Sequence, residues 1–108
     1  MGEGPYLVIF ITLSSEEEAE KIGKTLVEER LTACANIIPK IRSIFHWDGK
    51  ICDEREVLLI AKSKESMFQR IKERVIRLHS YDVPEIIGLP IRSGSEDYLD
   101  WIDEVTKE

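Results

Sequence analysis

An α+β domain, with helices packed on one antiparallel four-stranded sheet, is the fold this sequence predicts, and three observations carry that expectation. Apolar residues switch between β-type runs and helical spacing in the order strand, helix, strand, strand, helix, strand, with a last helix at the C-terminus. An Asp48-Gly49 pair separates two long β-prone segments, ACANIIPKIRSIFHW and KICDEREVLLIAK. Asp-Gly suits a type I′ hairpin turn, because both central residues need positive φ. Finally, the strand segments are apolar at consecutive positions rather than at alternate ones, so both faces of the sheet read as dry.

The elements follow in order. Tyr6 to Thr12 is β-branched and aromatic and reads as a first strand. Ser14 and Ser15 stand three residues before Glu17 and Glu18, giving two overlapping capping boxes. Ala19, Ile22, Gly23, Leu26 and Val27 then form one stripe on a helix expected to end near Arg30. In the hairpin, the arm from Cys34 to Trp47 would reach about 45 Å, against a radius of gyration of about 13 Å for a compact chain of this size. It must overhang its own domain, with a bend expected at Pro39. Phe45 and Trp47 point one way and Ile44 the other, leaving apolar side chains at the tip that one domain cannot cover. Ser63 is the expected N-cap of a second helix carrying Phe68, Ile71, Val75 and Leu78 on one face. That helix stops before Pro84, which disfavours helical backbone at Val83. Glu85 to Ile91 reads as the last strand, and Ser95 opens a helix whose Tyr98, Ile102 and Val105 share a face.

This order, βαββαβ plus a C-terminal helix, is the ferredoxin-like arrangement. Leu7, Ile9 and Ile11 oppose Tyr6, Val8 and Phe10; Val57 and Leu59 oppose Leu58 and Ile60; Ile86 opposes Ile87 and Leu89. One short helix cannot hide a whole sheet face. Several subunits are therefore expected to pack through it, with Ile44, Phe45 and Trp47 in the interface.

Composition narrows the function. At 108 residues, 43% hydrophobic and 33% charged, the chain fits a single domain over 1–108 with a core of its own. A net charge of −6 argues against nucleic acid or an anionic membrane as partner. Glu16, Glu17, Glu18 and Glu20 fall in a first helical turn, where they complement the macrodipole. Cys34 and Cys52 form no CxxC, so they read as two reduced, packed thiols of a cytosolic protein. The start, MGEGPYLVIFITLSS, lacks a basic leader pattern, and no run approaches the roughly 20 apolar residues of a membrane span. No GxSxG, HExxH, P-loop or dinucleotide fingerprint is present, so no enzyme is expected. TLSSEEE places acids where an acylphosphatase-like loop needs arginine, and EVLLIAK lacks the aromatics of an RNA-stacking strand.

The runs ERLTACANIIP, SIFHWDGKI, EVLLIAKS, HSYDVPEIIGLPI and YLDWI, in this order and at near-identical spacing, resemble the CutA family of divalent-cation tolerance proteins from about Tyr6 to Val105. The resemblance implies a ferredoxin-like fold, a cytoplasmic homotrimer interlocked through its hairpins, and binding of copper or other divalent cations. The ligands described for such a copper site are a Cys late in the first strand, a His after the second helix and the Glu of a motif like HHPYxxPE. Carried over position by position, the Glu falls on Glu85 and the second His on His79, while the Cys falls on Ile11 and the first His on Leu78. The metal candidates are therefore His79 and Glu85, an imidazole and a carboxylate, with a neighbouring subunit supplying the rest. The bland readings are a helix-terminal histidine and a solvated or ion-paired glutamate. Lys62 and Tyr81 also match the family and are expected to line an intersubunit cleft, or else to make ordinary surface hydrogen bonds. His46 reads as an interface ring. The rival reading is a trimeric regulator, like the similarly folded PII signalling proteins, that binds a small effector between subunits.

Overall fold

Residues 5–107 are described by the computed structural model; residues 1–4, part of the stretch read for a leader pattern, and Glu108 lie outside them. The first strand, β1 (Tyr6–Leu13), is apolar or β-branched on both sides and occupies an inner position of the sheet. It is followed by α1 (Glu16–Glu28), β2 (Cys34–Trp47), β3 (Lys50–Lys64), a 3₁₀ turn (Glu65–Met67), α2 (Phe68–Leu78), β4 (Ile86–Pro90) and α3 (Glu96–Val105). The strands lie in the order β2-β3-β1-β4 and every pairing is antiparallel, which is the ferredoxin-like arrangement.

At the start of α1, Ser15 Oγ accepts the Glu18 N–H at 3.1 Å. The Glu18 carboxylate turns back to Ser14 rather than to Ser15, so the capping box is split over both serines. The helix ends at Glu28, slightly before the expected Arg30, because Arg30 adopts φ 61° and leaves the helical path. Its guanidinium then donates to the Glu104 and Val105 carbonyls, fastening the end of α3 to the end of α1.

Asp48 and Gly49 both have positive φ, 54° and 76°, as the hairpin turn requires. The Pro39 bend is a bulge: register shifts between Ile38 and Ile41, and Lys40 takes φ 64°. Proline is tolerated there because β2 is an edge strand. The chain measures 43 × 29 × 22 Å, longer in one direction than its body needs, and Ile44, Trp47 and Ile51 on the projecting hairpin are each more than half exposed.

One expectation needs correction. Ser63 does not cap a helix: β3 runs on through Lys64, and the fully buried Ser63 hydroxyl donates to the Leu31 carbonyl at 2.6 Å. Strand alternation puts residue 63 on the core face, where that carbonyl, left behind by the end of α1, needs a donor. Ser95 opens α3 as expected, standing at its N-cap; its carbonyl accepts the Leu99 N–H and its side chain makes no capping bond.

One face of the sheet makes the core. Leu7, Ile9, Ile11 and Leu13 of β1 and Val57, Leu59 and Ala61 of β3 meet Ala19, Ile22 and Leu26 of α1 and Ile71 and Val75 of α2. The opposite face presents half-buried Val8, Phe10, Leu58 and Ile60 with exposed Ile38, Ile87 and Leu89. The third helix reaches only one end of it, where Asp103 pairs with Lys64 and Tyr98 meets Cys34. Among the described residues nothing covers the rest of the face.

Candidate functional site

The loop from His79 to Glu85 joins α2 to β4 and is tied to three other elements. His79 leaves the helix with extended backbone, ψ 144°, and its ring is fully buried. Nε2 lies 2.7 Å from the Thr12 carbonyl, and Nδ1 accepts the Tyr81 N–H at 3.1 Å. A carbonyl only accepts and an N–H only donates, so this geometry calls for a neutral imidazole with its proton on Nε2. The ring also packs at 4.7 Å, tilted, against Tyr81.

The second tie is Glu18. Its Oε2 accepts the Ser80 N–H at 2.7 Å, and its Oε1 accepts from Ser14 N at 3.3 Å and Ser14 Oγ at 3.0 Å. The third is Tyr81, whose hydroxyl donates to Glu56 Oε2 at 2.6 Å. Glu56 is a nearly buried carboxylate on β3. Burial first, then this bond and the charge of Glu56, push the Tyr81 hydroxyl well above the usual phenol range.

Glu18 makes the loop acid-sensitive. Burial would raise its carboxyl, but the bonds from Ser80 and Ser14 together outweigh it and hold the group below its ordinary value of 4.5. A depressed folded value stabilises the protein above the unfolded value, and that contribution is lost as pH falls through the folded one. Urea unfolding should therefore show stability declining below about pH 4.5, and Glu18→Ala should flatten that part of the pH profile. At neutral pH the variant should lose roughly 1 kcal/mol, the low end for an orphaned amide, because the cluster is partly solvated. An unchanged acid slope would show that Glu18 does not hold the loop.

His79 and Glu85 do come close to a common residue. His79 bonds the Thr12 carbonyl, and Glu85 Oε1 lies 3.5 Å from Thr12 Oγ1. Glu85 is exposed. Ile11, by contrast, is fully buried in the helix-covered core, whereas Thr12 and Glu85 belong to the opposite face. A cysteine at position 11 would point away from Glu85. Leu78 packs against the core. Among the described residues no three His, Cys, Asp or Glu side chains are grouped to hold a metal ion, and both His79 nitrogens are already bonded. Within one chain, these residues do not fit a metal centre.

Lys62 and Tyr81 are not neighbours in one chain. Tyr81 reaches Glu56, and Lys62 lies six residues further along β3, about 20 Å away. Lys62 Nζ donates instead to Asn36 Oδ1. Cys34 and Cys52 are both unpaired and half-buried, Cys34 Sγ lying 3.7 Å from Tyr98 Oη. His46 faces solvent on the hairpin, opposite Ile51. Two residues that matter here, Glu18 and Glu56, were not singled out from the sequence as site residues. Glu18 is hidden among the acids of a helix start, but Glu56 carried a signal as the acid opening the otherwise apolar run EVLLIA.

Residues 7–105 match the family model described as CutA1 divalent ion tolerance protein. A divalent-cation tolerance protein CutA of Thermus thermophilus is 50% identical over 99 residues, covering 92% of this chain and 96% of that relative. A solved divalent cation tolerance protein from the same organism superposes with a TM-score of 0.92 at 49% identity, over 94% of this chain and 99% of that one. CutA1 from Oryza sativa superposes with a TM-score of 0.94 at 38% identity, over 100% and 99%. A structure from Archaeoglobus fulgidus, described as a periplasmic divalent cation tolerance protein CutA, gives a TM-score of 0.91 at 43% identity, over 94% and 99%. The match names a tolerance protein rather than an enzyme. Fold, hairpin and full-length similarity together place this chain in the CutA1 divalent ion tolerance protein family.

Proposed function

We propose that three copies of this chain form a homotrimer, and that the trimer takes up divalent cations, copper first, in a response to metal ions. The observation that carries the assembly is the apolar sheet face that the described residues leave largely open, continuous with an overhanging hairpin that exposes Ile44, Phe45 and Trp47. Each chain, 1–108, acts as one domain of this assembly. The family match supports the cation reading. Glu85 offers an exposed carboxylate at the rim of that face, and His79 joins it only where its Nδ1 gives up the Tyr81 amide. Ligands from a neighbouring copy complete the shell, which keeps affinity weak. Two unpaired thiols support a reducing compartment, the cytoplasm, for this chain. Net charge −6 argues against a nucleic-acid partner, and among the described residues no helix is long and apolar enough to cross a membrane.

Metal analysis of the purified protein and calorimetric titration with Cu²⁺ test this reading. Glu85→Gln should weaken binding about tenfold or more, and His79→Ala should weaken it further, with light scattering confirming that both variants keep the parent assembly. Copper uptake equal to the parent's in both variants would rule out this site and turn attention to the acidic start of α1 and the two cysteines.

A second reading has an observation of its own. Lys62 places an ammonium on the uncovered apolar face, as a cleft that holds a small effector between subunits would.

A further inference from the structure

Lys62 carries a charge where the surrounding sheet is apolar. Its partners across the strands are Val8 on β1 and Cys34 on β2, and Ile60 precedes it on the same face of β3. The side chain is half-buried, and its ammonium donates to Asn36 Oδ1 in a bond that is exposed in the single chain. Among the described residues no carboxylate lies within 4.0 Å of Nζ, although Lys64, two residues on, pairs with Asp103. At one side the site is walled by α3, whose Tyr98 hydroxyl sits 3.7 Å from Cys34 Sγ and whose Trp101 packs 5.4 Å from the Tyr98 ring.

A single amide oxygen does not neutralise an ammonium. Once a neighbouring subunit covers the face, water is withdrawn from Lys62, and a charge left without a counter-charge in apolar surroundings is strongly disfavoured. The charge therefore calls for an anion. A carboxylate suits it best, since a charge-assisted bond to Nζ is short and strong, and the Tyr98 hydroxyl can donate to the second oxygen. We propose that Lys62, Asn36 and Tyr98 form a carboxylate-binding site on the open face of the sheet. The carboxylate is either that of a small organic acid held in the cleft or that of a neighbouring copy. This inference rests on the assembly proposed above, and it gives the effector reading a ligand class.

The probe is benzoate, with benzamide as its uncharged isostere, followed by saturation-transfer NMR on the intact protein. A free-acid site predicts a benzoate signal in the parent chain, at least about tenfold weaker for benzamide and for Lys62→Met, and retained by Lys62→Arg. If the carboxylate comes from a neighbouring copy, benzoate gives no signal. In that case Lys62→Met raises the concentration at which the trimer dissociates by at least about tenfold, and Lys62→Arg does not. Either pattern supports the site and names its source. Absence of both, in a chain that light scattering shows to be trimeric, overturns it. A monomeric parent would instead refute the assembly, and the benzoate comparison alone would then decide the site.

Discussion

Trp47→Ala should shift the assembly from a mass of three times 12.5 kDa toward the single chain at micromolar concentrations where the parent stays assembled. In the isolated chain Trp47 is 53% exposed near the tip of the hairpin, so the substitution removes little from the fold itself. In the proposed trimer it would truncate a large aromatic ring at the contact between copies, at about 3–5 kcal/mol per copy where burial is complete. Because the loss recurs at each symmetry-related contact, the dissociation midpoint moves by orders of magnitude. Multi-angle light scattering across a dilution series reads it directly. The parent should also melt at a temperature that rises with protein concentration when unfolding is reversible, and the variant should lose that dependence. A parent chain that is monomeric throughout the series would refute the interface.

The second large effect lies inside one chain. Leu59 is fully buried at the centre of β3, paired with Ile11 on one side and Ile37 on the other, and it closes the contact with α1 at Gly23. Leu59→Ala should cost about 2–5 kcal/mol, because the strands on both sides prevent the cavity from collapsing. The loss should appear in urea melts of both the parent and the Trp47→Ala backgrounds, since the two positions are far apart and their effects add. A loss below about 1 kcal/mol would mean that the sheet and α1 relax around the gap, contrary to the packing described.

Much of the fold was legible before any coordinates. Helical spacing at Ala19, Ile22 and Leu26 and at Phe68, Ile71 and Val75 located two helices, and Asp48-Gly49 located the hairpin turn. These signals are local: periodicity and turn chemistry act over a few residues and need no tertiary partner. Ser63 shows where local reading stops. A serine before an amphipathic run suggests an N-cap, but the carbonyl it serves belongs to Leu31, 32 residues earlier in the chain.

The site was less legible for the same reason. Motif position put His79 and Glu85 forward together, and the fold does bring both to Thr12. It also commits the imidazole, on one side to the Tyr81 amide two residues on, and on the other to the Thr12 carbonyl 67 residues earlier, a bond that no spacing rule reveals. Glu18 and Glu56 acquire their roles only when Ser80 and Tyr81 are folded against them.

The sequence by itself determined the order of elements, the hairpin that exceeds its domain and the apolar character of both sheet faces, since each is a property of spacing and composition along the chain. Tertiary structure decided the rest. It placed Ile11 and Glu85 on opposite faces, closed both nitrogens of His79 and, among the described residues, left Lys62 without a carboxylate on an uncovered apolar face. Hydrogen-bond partners and counter-charges are fixed by approach through space, which the linear pattern does not encode.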